Sequence, residues 1–143
     1  MDECPFCEII QKNTDRKLLE GEYVFATLSN PRLMPGHVLV IPKRHVSKIG
    51  DLNEDELKEL MQFAIKLQNK ILEKVSTGCD IVQNYRPHQK ADNYYRVDHL
   101  HLHVRPRHAN DRLYTEVRPH YHKVFEDLSK EESDEFKKII FNL

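Results

Sequence analysis

The chain lacks a dominant charge. Its 22 Lys and Arg residues nearly cancel its 23 Asp and Glu residues, which excludes a global basic field for a nucleic-acid backbone or an anionic membrane. It also lacks a long apolar run: no stretch approaches the ~20 residues needed to span a bilayer. The opening Met1-Asp2-Glu3 is acidic and begins no apolar segment, so it does not look like a signal peptide. The expectation is a soluble, cytoplasmic protein with no membrane partner and no specific nucleic-acid partner. Cysteine is scarce, and the odd count of three makes no disulfide framework. Cys79 reads as a small buried residue. Internal repeats and low-complexity segments are absent. At 143 residues, one domain over 1–143 is expected.

Histidine, in contrast, is abundant: nine residues, most in the second half. The densest cluster is His99-Leu100-His101-Leu102-His103-Val104. In an extended strand the three imidazoles share one face and the apolar residues take the other, with neighbouring imidazoles about 6–7 Å apart. Three readings fit: a wet strand face that happens to be histidine, a metal site, or nucleophilic catalysis in which one imidazole attacks phosphorus while its neighbours manage charge and protons. Cys4-Pro5-Phe6-Cys7 is equally open. A redox C-x-x-C normally sits between a strand and a helix, a context that three preceding residues do not supply. Two thiolates at this spacing are also half of a tetrahedral zinc site.

A coarse pass along the chain predicts a helical turn over Phe6–Gln11 and a strand over Glu22–Leu28, with a turn at Ser29-Asn30-Pro31. The β-branched run His37–Ile41 follows as a buried strand bounded by Pro42. A long helix runs from Glu54 to Val75, capped by Asn53 with Glu56 three residues on. Its inner face is read as Leu57, Leu60, Met61, Ala64, Leu67, Gln68, Ile71, Leu72 and Val75. Cys79–Gln83 is the next strand, 84–96 a polar loop, and the histidine strand ends at Pro106. Ser129 to Glu132 is a capping box for a short C-terminal helix with Phe136, Ile139 and Ile140 inward. This order predicts an α+β fold, an antiparallel sheet packed against one long helix.

Pro35-Gly36-His37-Val38-Leu39-Val40-Ile41-Pro42-Lys43-Arg44-His45, followed by His99-Leu100-His101-Leu102-His103-Val104, resembles the histidine triad (HIT) family. The likeness covers about Cys4 to Arg107, leaving 108–143 as a tail. It implies attack by the middle histidine, His101, on the α-phosphorus of a nucleotide conjugate, with a nucleotidyl-histidine intermediate resolved by water or another acceptor. His103 then contacts phosphoryl oxygens and assists the leaving group, and His37 lies beside the nucleophile. Zinc-bearing members complete a Cys pair with two histidines, which here are His45 and His99. The resemblance therefore implies a structural Zn2+ on Cys4, Cys7, His45 and His99, and removes His99 from catalysis. Phe6 and Ile9 resemble residues that line the base pocket, implying a purine. Ser29 and Asn30 stand where relatives hold the ribose, although Ser-Asn-Pro is equally a turn. Relatives are commonly two-fold dimers.

The chain departs from the family between Gln83 and His99. Relatives carry a glycine-containing segment there, whereas this chain has no glycine after Gly78. Gln83 and Asn84 still match the polar strand end. Arg86 or Arg96 is the expected substitute for a backbone phosphate cradle, through charge-assisted bonds; a solvated basic loop is the alternative. Arg105-Pro106-Arg107 resembles the motif's end in the fragile-histidine-triad and bacterial branches, where Arg107 either approaches a distal phosphate or caps the strand. The resulting expectation is a nucleotide hydrolase or nucleotidyl transferase whose substrate is a dinucleoside polyphosphate or a nucleoside phosphoramidate. Its rivals are a nucleotide sensor with negligible turnover and a histidine-ligated metalloenzyme such as a cupin.

Overall fold

The computed structural model describes residues 4–12, 15–89, 97–117 and 121–141. They divide into two compact units, Met1–His108 and Ala109–Leu143. The first contains α1 (Pro5–Gln11), β1 (Lys17–Glu20), β2 (Val24–Leu28), β3 (Val38–Pro42), α2 (Glu54–Lys74), β4 (Gly78–Gln83) and β5 (Leu102–Arg107). The strands form one antiparallel sheet in the order β1-β2-β3-β5-β4. This is the expected α+β architecture, and it excludes an all-β cupin. No helix among the described residues is long and apolar enough to cross a membrane.

Strand alternation sends residues to two apolar layers. Val24, Ala26, Val38, Val40, Leu102 and Val104 meet Leu60, Ala64 and Ile71 of α2. Phe25, Leu39 and Ile41 face the other way, onto Phe6 and Ile9 of α1. Because β2 and β3 are covered on both sides, their sequences are almost continuously apolar.

Helix α2 begins with the full capping box: Asn53 Oδ1 accepts from the Glu56 N–H at 2.9 Å, and Glu56 Oε2 accepts from the Asn53 N–H at 3.0 Å. A cap of this kind contributes about 1 kcal/mol. Glu56 also accepts two 2.8 Å bonds from Arg44, which together hold its carboxyl down at a pKa of about 2. The residues just after β3 are thereby fastened to the start of α2.

The elements differ from expectation at four places. Strand β1 is not among the expected elements. Strand β5 starts at Leu102 and runs through Pro106 to Arg107. Its ladder with β3 covers only Val38↔Val104 to Val40↔Leu102, so Pro106 lies beyond it, with β4 as its one neighbour and a missing N–H tolerated. The buried face of α2 is narrower than expected: Leu57, Met61, Leu72 and Val75 are exposed, as is Ile65, because a helix lying on a sheet buries only the stripe that touches it. In the second unit, α3 (Lys130–Phe141) is capped by Ser129 Oγ, which accepts from the Glu132 N–H at 3.1 Å. Its supposed inward residues Phe136, Ile139 and Ile140 are instead exposed. A unit this short cannot enclose a core of its own.

Candidate active site

Three segments converge on one side of the sheet. The turn before β3 holds Gly36 at φ +80, a conformation that favours glycine. A Cβ there would lie 3.1 Å from Pro106 Cγ, a tight approach that adds to the preference for glycine set by the positive φ. It delivers His37, 3% exposed, into the site. Segment 97–101 leads into β5, held by a 2.6 Å bond from the Leu100 N–H to the Val46 carbonyl. Beyond it, β5 contributes His103.

Hydrogen-bond partners fix the proton on each imidazole. The Leu33 N–H donates to His37 Nδ1 at 3.2 Å, so neutral His37 carries its proton on Nε2. That Nε2–H donates to His103 Nδ1 at 3.0 Å, which places the His103 proton on Nε2. His101 Nδ1–H donates to the His99 carbonyl at 2.8 Å and leaves its Nε2 lone pair uncommitted. His99 Nε2–H donates to the Pro42 carbonyl at 2.7 Å and leaves Nδ1 as an acceptor. The rings of His101 and His103 lie 4.8 Å apart, and Phe6 packs edge-on against His101 at 5.1 Å. Burial disfavours the charged form of all four. It is the largest influence on His37, whose pKa falls to about 4 with Arg105 and His101 nearby. For His103, burial together with His101, His37, Arg105 and Arg86 brings it to about 3. His99 and His101 are also lowered, chiefly by burial. A neutral imidazole with a free lone pair, His101, thus adjoins a neutral N–H donor, His103.

Beside this centre, one ligand atom each from Cys4, Cys7, His45 and His99 lies within 4.8 Å of the others. Cys4 Sγ is 3.3 Å and Cys7 Sγ 3.6 Å from His99 Nδ1, and Cys7 Sγ is 3.5 Å from His45 Nδ1. A tetrahedral zinc with ordinary bond lengths separates sulfur from nitrogen by about 3.6 Å. The His99–Pro42 bond supplies the orientation that a metal-ligating imidazole needs. The four residues can hold a metal ion.

A cleft of ≈ 440 Å³ opens over His101 and His103, with Asn84, Tyr85, Arg86 and Arg105 on its walls. Of the expected nucleotide contacts, Asn84 and Arg86 therefore reach the cleft. Gln83 ends β4 opposite Leu102. Phe6 and Ile9 are buried in the apolar layer, Phe6 directly against His101. Ser29 is engaged in its turn: the hydroxyl donates to the Pro31 carbonyl and the N–H to the His37 carbonyl, each at 2.8 Å. Asn30 is exposed. Arg96 lies outside the described residues. Arg107 is 3% exposed and donates from Nη1 to Asp80 Oδ2 at 2.6 Å, so it ties β5 to β4. Arg105 has no role among the sequence expectations, although strand parity with His101 and His103 is the signal that places it on their face.

Comparisons with known proteins agree with this geometry. The HIT domain family model matches residues 11–110. Bis(5'-adenosyl)-triphosphatase of Dictyostelium discoideum is 30% identical over 119 residues, covering 79% of this chain and 78% of the relative. Adenosine 5'-monophosphoramidase of Saccharomyces cerevisiae is 34% identical over 105 residues, 73% of this chain and 62% of the relative. A crystal structure of a HIT family protein from Bacillus anthracis superposes with a TM-score of 0.73 at 28% identity, covering 99% of this chain and 96% of that one. With the triad, the sheet order and the sequence match in agreement, the chain belongs to the HIT domain family.

Proposed function

We propose that this protein is a nucleotidyl hydrolase or transferase that attacks the α-phosphorus of a purine nucleotide conjugate. The observation that carries the reading is the protonation pattern: His101 presents an unprotonated Nε2 while its Nδ1–H is tied to the His99 carbonyl. In the first step the Nε2 lone pair forms a bond to phosphorus and the bond to the leaving group breaks. The leaving group departs with the bonding electrons and, where it must be protonated, takes the proton from water, while His103 Nε2–H donates a hydrogen bond to a phosphoryl or bridging oxygen. His37 holds His103 in this tautomer through the 3.0 Å bond. In the second step water, or another acceptor, attacks phosphorus and releases its proton. The P–N bond breaks and neutral His101 returns. Ser29, Asn30, Gln83, Asn84, Arg86 and Arg96 are the proposed polar nucleotide contacts, and Phe6 and Ile9 back the base side.

Cys4, Cys7, His45 and His99 are proposed to hold a structural zinc ion. It fixes the segment that carries His101 and takes no part in the reaction. A homodimer in the cytoplasm is proposed as the working form, supported by the exposed apolar residues of α2.

The decisive experiment is incubation with a dinucleoside polyphosphate and a nucleoside phosphoramidate, followed by mass spectrometry. A nucleotidyl adduct on His101 is expected, together with a fall of at least about 10³-fold in kcat/KM for His101→Ala. Undiminished turnover in that variant overturns the reading.

A further inference from the structure

Strand β5 continues the histidine face by one more residue. Leu102, Val104 and Pro106 are buried, whereas His103 and Arg105 are half-exposed on the opposite side. Arg105 lies one repeat past His103, about 6–7 Å along the strand, and lines the same cleft as His101 and His103. In the ladder with β4 its direct neighbour is Asp80. That residue's carboxylate is engaged diagonally by Arg107, at 2.6 Å. The two arginines of this face are placed differently: Arg107 fastens the strands, and Arg105 lines the cleft.

Burial does most to keep His37 and His103 neutral, and the charge on Arg105, lining the same cleft, acts on both in the same sense. Arg86 enters the cleft from the segment after β4 and acts on His103 in the same sense. Asp98 is the acidic residue on the cleft wall. Two guanidinium groups beyond the nucleophile match a ligand that carries negative charge past the phosphorus under attack. They bind phosphate oxygens well, in pairs and without proton exchange, and they offer nothing comparable to a neutral amine.

We propose that Arg105, assisted by Arg86, is a specificity-determining residue that binds the leaving group's phosphates and so selects polyphosphate conjugates over phosphoramidates. This rests on the proposed function above. It goes further by choosing between two classes of leaving group and by assigning the choice to a residue outside the triad.

The test compares kcat/KM for a dinucleoside triphosphate and an adenosine phosphoramidate in wild type, Arg105→Leu and Arg105→Lys. The ratio favouring the triphosphate is expected to fall by about tenfold or more in Arg105→Leu and to recover in part with Lys. An unchanged ratio overturns the proposal, whether both substrates suffer equally or neither does. Binding of ADP and AMP, measured by calorimetry on the same proteins, separates this outcome from failure of the underlying reading. Wild type should prefer ADP, and Arg105→Leu should lose that preference by a similar factor. If the wild type turns over neither conjugate, the proposed reaction falls while the ADP preference still decides Arg105. Equal affinities for ADP and AMP in the wild type overturn the anion subsite itself.

Discussion

The four imidazoles of the site are distinguished by what holds their second nitrogen: a backbone N–H for His37, a neighbouring imidazole for His103, and backbone carbonyls for His99 and His101. Because His37 and His103 each accept a hydrogen bond at Nδ1, their rings must be neutral, which sets a pH dependence for stability. His37 and His103 have folded pKa values of about 4 and about 3, against about 6.5 in an unfolded chain. Above that value both rings are neutral in either state. As pH falls below it, the unfolded chain binds protons that the folded chain refuses, so stability is lost progressively from about pH 6.5 towards 4 and below. A series of Tm measurements over that range should show the decline, and His37→Asn should flatten it. Identical pH slopes for wild type and variant would count against the buried neutral pair. The spacing of the triad was readable in the sequence because strand parity is a local property. Parity alone leaves its members equivalent; the resemblance separates their roles, while the bonds that enforce the difference come from Pro42, Val46 and Leu33, distant from the triad in sequence and supplying only backbone atoms.

Among the elements, α2 has two apolar stripes. Leu60, Ala64 and Ile71 face the sheet, while Leu57, Met61, Ile65 and Leu72 face outward, with Ile65 48% exposed. An outward stripe of this length is a surface awaiting a partner, and a second copy of the chain is the proposed one. Sedimentation should therefore show a dimer that Ile65→Glu converts to monomer, with the folded content unchanged by circular dichroism. A monomeric wild type at micromolar concentration would sink the idea. Periodicity places Leu57, Met61 and Leu72 with the sheet-facing residues, because it records which residues are apolar and not which of them the sheet covers. Strand β1 escaped notice for a related reason: Lys17-Leu18-Leu19-Glu20 has no alternation, and its pairing with β2 is irregular between Lys17 and Leu19. The caps of α2 and α3 were legible, since each consists of one side chain and a backbone group three residues away.

At the scale of the molecule, the Cys/His cluster joins the N-terminal helix to a segment some ninety residues later, with Cys4 and His99 separated by 95 positions. Closing so long a loop through a metal should matter for stability. One zinc per chain is expected by metal analysis. Chelation or Cys4→Ser should lower Tm by several degrees, since about 1 kcal/mol already corresponds to roughly 2–8 °C for domains near this size. A metal-free protein with the same Tm in wild type and Cys4→Ser would remove the zinc assignment. The centre of the site has its own long-range dependence. The His37–His103 bond spans the junction of β3 with β5, where the ladder holds only three register pairs, against six between β5 and β4. This junction divides β1, β2 and β3 from β5 and β4. Thermal opening of the sheet at so short a ladder would part the two imidazoles while both halves kept their strands. The reaction centre thus sits astride a short ladder in the middle of the sheet, and its competence depends on that seam staying closed.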